Sequence, residues 1–462
     1  MPLHGHDSVT LVQALRILAS AGDLAMGQPP GHSERAARLA QRLARAAGAD
    51  DTQALHARLV AQLRWSGSLA TAPGFAALPG GDIGGRRALL ADPFAPRAYR
   101  GSALLAATHA EVAGELAAML GLPAPVEDAL RRLFARGAEG TESGRIAALA
   151  GDLELLARTH GMGAALAMCA RLAPRRYPAA LVQLAAPLAG AWLDEAAQPE
   201  DGACLPGFLP LSAPLAPVTD AIELKLPWLA GYGRRVAFLA REAAVLAGLP
   251  DAVQRGLVRA ALLHGLGRAG VPNPVWQDAH KLEGDARDAV RRAPYWTACL
   301  LGRIPGLEDD GALASQAYER LDGSGYYRGM DAAVLGQPQR ILAAAAAHAA
   351  LRAPRPWRAA HDEAAATALL DAQAAGGRFD REAVALVGRA AGREREPVRN
   401  GLSAREREVL MRISRGESER TAARAMRLSA GALRTHMERI LEELGCATRP
   451  AATLRALARG LI

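Results

Sequence analysis

Lysine is almost missing from this chain: of its 55 basic residues only Lys225 and Lys281 are lysines. That scarcity reads as a consequence of genome base composition rather than of function. Cysteine is scarce as well. Cys169, Cys204, Cys299 and Cys446 are scattered and no CxxC pair occurs, which argues against a zinc ribbon and a disulfide framework. Aromatic residues make up 4% of the chain and β-branched residues are few, so no substantial sheet is expected. No apolar run is long enough to span a bilayer. The segment Met1–Thr10 is polar, with two His and an Asp, and does not read as a signal peptide. The expectation is a cytoplasmic protein with no membrane contact.

What is present favours helices. Half of the 462 residues are hydrophobic, and Ala, Leu and Arg dominate. The fold class read from this is all-α, with room for two to four domains. A repeat organises the first four hundred residues. Gly31-His32-Ser33-Glu34-Arg35-Ala36-Ala37 matches Gly231-Tyr232-Gly233-Arg234-Arg235-Val236-Ala237 at an offset of 200 residues, and both helical patterns end at a Gly, Gly48 and Gly248. A repeat of this length reads as a duplicated domain rather than a solenoid. Chance likeness between Ala/Leu/Arg-rich helices is the plainer explanation. Pro- and Gly-rich residues Pro199–Pro217 and charged residues Gly392–Gly401 read as linkers. They divide the chain into domains at 1–200, 218–392 and 400–462.

The last sixty residues carry the clearest pattern. Ser403 and Glu406 form a capping box, Gly416 stops that helix, and Ser418 caps the next. A third helix begins near Ser429. Leu433, Met437, Ile440, Leu441 and Leu444 share its buried face, and Gly445 ends it. Arg434, Thr435, Glu438 and Arg439 lie on the other face. Ala451, Leu454, Ala458 and Leu461 trace a fourth helix. Residues 402–462 hold twelve Arg and seven Glu, more than half of the formal net charge of +8. Such a face fits a helix-turn-helix: Arg434 and Thr435 toward base edges, Arg439 toward the phosphate backbone, Ser429 and Glu438 beside them. The plainer alternative is a solvated face with Arg434 and Glu438 paired along the helix.

This segment resembles the LuxR-type helix-turn-helix of bacterial transcription regulators. The resemblance rests on Leu402-Ser403-Ala404-Arg405-Glu406, Gly416-Glu417-Ser418, Ser429 to His436, and Glu443-Leu444-Gly445. Ala432 stands where the family usually has Thr, and Glu443 where it has Lys. The resemblance implies double-stranded DNA as partner and a homodimer formed through the last helix.

Residues 224–392 resemble an HD-GYP domain, through Ala261 to Asn273, Tyr318 to Gly329 and Gly377-Arg378-Phe379-Asp380. Active members of that family hydrolyse cyclic dinucleotides with a metal cluster held by His and Asp residues. At the corresponding positions stand Tyr232, His264-Gly265, Ala293-Pro294, Ala317-Tyr318 and Ala346. Only His264 remains, and one imidazole cannot hold a divalent metal. The expectation is therefore a degenerate domain that is not an enzyme and has no cofactor. It would sense a small-molecule or nucleotide effector, or mediate dimerisation, for the regulator. His264, Arg268, Glu319, Arg320 and Asp322 are the candidate pocket residues, although a core histidine and a turn-capping Asp322 are the plainer readings. The alternative function is a metal-dependent cyclic-dinucleotide phosphohydrolase coupled to DNA binding. The first repeat reads as a further decayed HD-like copy. His32 stands at its first ligand position, Arg64-Trp65 where a His-Asp pair would be, and His109 and Asp152 at later ones.

Overall fold

The computed structural model describes residues 5, 7–76, 79–94, 102–134, 139–173, 175–198, 207–280, 282–393 and 401–462. Cys204, Lys281 and large parts of both expected linkers, residues 199–206 and 394–400, lie outside them. The architecture is all-α, as the composition implies, with one small addition. Ser8–Thr10 and Ser212–Pro214 pair as a two-stranded sheet. At three residues each, these strands leave the expectation of no substantial sheet standing.

The chain divides into two compact units. One is Thr10–Ala213; the other is Pro214–Ile462 with the chain's first residues as far as Val9. In the first, His32–Ala46 packs on Asp51–Leu63 and on Glu142–His160. In the second, Tyr232–Leu246 packs on Asp251–Leu263, Gln337–Arg352 and Arg381–Ala391. The helix pairs at the start of the two units keep the 200-residue offset in their bounds. Both first helices are entered through a glycine in the left-handed region, Gly31 at φ 87° and Gly231 at φ 76°. Ala36, Leu39, Ala40 and Leu43 are buried in one, Val236, Leu239, Ala240 and Ala243 in the other, at helical spacing.

One part of the Pro199–Pro217 linker is helical. Ala216–Glu223 begins with Pro217 in its first turn, where a missing N–H costs nothing, and all eight residues are buried. A loop reading of Pro217 missed this, because Pro starts helices as readily as it ends them.

Residues 404–458 form four short helices: Ala404–Ser414, Glu419–Ala425, Ala430–Leu444 and Arg449–Ala458. The Ser403–Glu406 capping box is formed, and Ser418 and Ser429 cap the second and third helices. Val409, Leu410, Leu433, Ile440 and Leu444 are the heart of the module's core. The fourth helix differs from its expected stripe. Ala451 and Leu454 are fully buried yet lie outside that core, and Ala458 is exposed. The reason is that this helix also packs on Ala216–Glu223, and a Cβ built on Gly231 would lie 3.3 Å from Leu457 Cδ2.

Candidate functional site

Tyr232 opens its helix directly after Gly231 and is buried, with its hydroxyl donating to the Ala346 carbonyl at 3.0 Å. His264 closes the helix Asp251–Leu263 and donates from Nδ1 to the Ala261 carbonyl at 2.5 Å. That leaves Nε2 as an acceptor, and the Arg268 guanidinium donates to it at 3.2 Å. Arg268 sits in the short turn Leu266–Gly270 and donates also to the Tyr318 hydroxyl at 2.5 Å. Its guanidinium carbon stands 5.0 Å from the Tyr232 ring centroid and 5.9 Å from that of Tyr318. Burial, reinforced by Arg268, pushes His264 down to about 3, so the imidazole is neutral.

A second cation shares the Tyr232 ring. Arg355 lies 5.6 Å from that centroid and 4.5 Å from the ring of Trp228. Arg355 Nη1 and Trp228 Nε1 are buried donors without a partner among the described residues. Burial pushes the Arg355 guanidinium down to about 10, which still leaves it charged at neutral pH. Glu223 accepts from the Gly233 N–H at 2.6 Å, and burial pushes it up to about 8. Among the described residues neither Arg268 nor Arg355 forms an ion pair with a carboxylate.

The structure brings His264 and Arg268 together, and turns the other three candidate pocket residues to local work. Glu319 is buried and accepts from the Arg328 and Met330 N–H groups at 2.8 and 3.0 Å, tying down the glycine loop. Arg320 donates to the Glu319 carbonyl at 2.6 Å and covers the Phe379 ring at 4.4 Å. Asp322 accepts from Ser324 N–H and Oγ–H at 3.0 and 2.6 Å, capping an exposed turn. Trp228 and Arg355 lie outside every motif. Their one sequence signal is the interleaving of Arg and Trp in Arg355-Pro356-Trp357-Arg358.

The first unit builds a parallel arrangement. Arg64 donates to His32 Nε2 at 2.7 Å, and His32 Nδ1 donates to Glu154. Trp65 stacks on His32 at 4.4 Å between centroids, and Arg64 lies 4.3 Å from the Trp65 ring. His109 donates to the Arg64 carbonyl at 2.6 Å, and burial pushes both His32 and His109 down to about 4. Asp152 pairs with Arg176 at 3.1 Å, turned away to a partner of its own. Glu154 is the residue that sequence reasoning missed.

The residues present do not fit the metal cluster that the resemblance implies. In each unit the imidazole lone pair that would meet a metal accepts instead from a guanidinium. Among the described residues no group of three or more His, Cys, Asp or Glu is placed to hold an ion.

In the C-terminal module Arg434, Thr435, Glu438 and Arg439 are all exposed on the third helix. Among the described residues no ion pair joins Arg434 and Glu438. Arg439 instead reaches Glu406 at 3.4 Å. Ser429 spends its hydroxyl on the Ala432 N–H at 3.1 Å, and Thr435 donates to the Gly431 carbonyl at 3.2 Å.

Comparison with known proteins assigns both parts. Residues 217–383 match the HD domain family model, and residues 400–456 match bacterial regulatory proteins of the luxR family. The chain carries an HD domain followed by a LuxR-type helix-turn-helix. The HD domain is 34% identical over 139 residues to the 3′3′-cGAMP-specific phosphodiesterase 3 of Vibrio cholerae, covering 30% of either chain. A 161-residue match at 31% identity, covering 34% of this chain and 43% of the relative, is to the cyclic di-GMP phosphodiesterase response regulator RpfG of Xanthomonas campestris pv. campestris. The chain is also 41% identical over 83 residues to the probable transcriptional regulatory protein NarL of Mycobacterium tuberculosis, covering 17% of this chain and 38% of the relative. The chain thus spans between 30% and 43% of the length of these relatives. The crystal structure of the Vibrio cholerae cyclic GMP-AMP-specific phosphodiesterase V-cGAP3 shares the fold, with a TM-score of 0.58 at 20% identity over 84% of this chain and 99% of that one.

These relatives correct the expectation that the HD domain is not an enzyme. Its matches are named phosphodiesterases, and they point to phosphohydrolase activity. That expectation counted His and Asp at motif positions. Phosphoryl chemistry needs positive charge at anionic oxygens, and a fixed guanidinium also supplies it, so the count does not decide the matter.

Proposed function

We propose that this protein is a transcription regulator whose HD domain takes a cyclic dinucleotide and adjusts the binding of its helix-turn-helix to DNA. The observation that carries the reading is the joining, in one compact unit, of a helix-turn-helix similar to the luxR family, with Arg434 exposed on its third helix, and an HD domain similar to cyclic-dinucleotide phosphodiesterases. Contact between Arg449–Ala458 and Ala216–Glu223 supports a mechanical link. Glu223, at the end of the latter helix, is bonded to Gly233 beside the Tyr232–Arg268 cluster. A ligand that shifts Tyr232 or Arg268 therefore acts on the support of the last DNA-binding helix.

The test is fluorescence anisotropy on DNA fragments selected from the genome, with and without 3′3′-cGAMP or cyclic di-GMP. A ligand-dependent change in DNA affinity supports the reading; unchanged affinity at saturating ligand removes it. A second reading, a phosphodiesterase coupled to DNA binding, draws on the same relatives. Chromatography of either nucleotide after incubation with the protein tests it, and linear product establishes it.

A further inference from the structure

Two guanidinium groups, Arg268 buried and Arg355 half-buried, share the Tyr232 ring, and among the described residues neither has a carboxylate partner. A buried charge costs several kcal/mol, typically, unless it is paired or hydrogen-bonded. Arg268 is partly compensated by His264, by the Tyr318 hydroxyl and by two aromatic faces. Among the described residues Arg355 meets the Trp228 and Tyr232 faces, and its Nη1 has no acceptor. Trp228 Nε1 is a second buried donor in want of an acceptor. Donors without acceptors, next to unneutralised positive charge, describe a site for an anion with several oxygens. Beside them Trp357 is 47% exposed, its ring 6.3 Å from that of Trp228 and edge-on to it. An exposed indole face next to an anion site is a platform on which a nucleobase can stack.

We infer that Arg355 and Arg268, with the Trp228 N–H, form a metal-independent anion site that holds a phosphodiester group by guanidinium charge where the HD-GYP resemblance implies a metal. Trp357 stacks on the attached base. The nucleotide part of this inference rests on the cyclic-dinucleotide reading above; the anion part does not. Guanidinium suits the role because its fork matches two phosphate oxygens at once and its charge does not titrate away near neutral pH.

The experiment is calorimetric titration of the full chain with 3′3′-cGAMP in EDTA, and phosphorus NMR line broadening with dimethyl phosphate, which has no ring to stack. The wild type binds both probes without added metal. Arg355→Gln weakens both by roughly ten- to a hundredfold, the effect of removing a charge-assisted hydrogen bond. Trp357→Ala weakens only the nucleotide. Because Trp357 is exposed and Arg355 half-buried, both variants keep the wild-type circular dichroism spectrum and melting profile; Arg355→Lys serves as a second variant and recovers part of the binding. The inference is overturned if 3′3′-cGAMP binds only after manganese is added, or binds Arg355→Gln as it binds the wild type. In either case the cyclic-dinucleotide reading survives. If dimethyl phosphate binds and the nucleotide does not, the anion site stands and that reading falls.

Discussion

The Arg268 guanidinium and the Tyr318 hydroxyl meet at 2.5 Å, fifty positions apart in sequence. This bond holds the guanidinium against His264 Nε2 and under the Tyr232 ring. Tyr318→Phe removes the acceptor and leaves a buried N–H unsatisfied. A loss of about 1–3 kcal/mol in the stability of the C-terminal unit is expected. Urea denaturation followed through the unit's tryptophans measures it; no loss means that water replaces the phenol.

Stability should fall on both sides of a maximum near neutral pH, for opposite reasons. His32 and His109 are pushed down to about 4 and His264 to about 3, from an ordinary 6.5. They bind fewer protons folded than unfolded, so their contribution is complete above pH 6.5 and is lost as pH falls through those values. Glu223 runs the other way, up to about 8 from 4.5, and Asp23 up to about 7 from 3.8. Their contribution is complete below the ordinary carboxyl values and is lost as pH rises toward 8. Glu223→Gln should flatten the alkaline limb of the C-terminal unit by up to about 1.4 kcal/mol per pH unit. Denaturation midpoints at pH 6.5, 7.5 and 8.5 test this, and an unchanged limb would place the titrating group elsewhere.

Arg434 is exposed, and among the described residues no ion pair joins it to Glu438. Arg434→Ala should cost about 1–3 kcal/mol and relax selectivity at one base position if the contact is to a base edge. Glu438→Gln should change little, because no internal ion pair is lost. Binding isotherms at two salt concentrations separate the cases. A uniform loss across sequences, with a shallower salt slope, would reassign Arg434 to the phosphate backbone.

Leu454 is fully buried but belongs to no part of the helix-turn-helix core, since its helix also rests on Ala216–Glu223. Leu454→Ala should cost about 2–5 kcal/mol, most of it in that contact. Hydrogen exchange should then speed up in Ala216–Glu223 and Arg449–Ala458 and stay slow in Ala404–Ser414. Exchange confined to the module would show that Leu454 supports only its own domain.

Much of this was legible in the chain itself. Helix limits followed from local chemistry: the Ser403–Glu406 box, the Ser418 and Ser429 caps, and the left-handed Gly445 at φ 63°. These depend on residues within one turn of each other, and so does the exposed side of the third helix, which follows from the 3.6-residue period. The 200-residue offset was visible for the same reason, because Gly31 and Gly231 mark one backbone requirement twice. Only the tertiary structure decided the rest. Glu154 joins His32 across 122 positions, and Arg355 reaches the ring of Tyr232 from beyond Gln337–Arg352. It also set Ala216–Glu223 against the last helix. No periodicity encodes such meetings. They arise where packed helices bring distant side chains to one point, and which group ends there is set by the burial of all of them together.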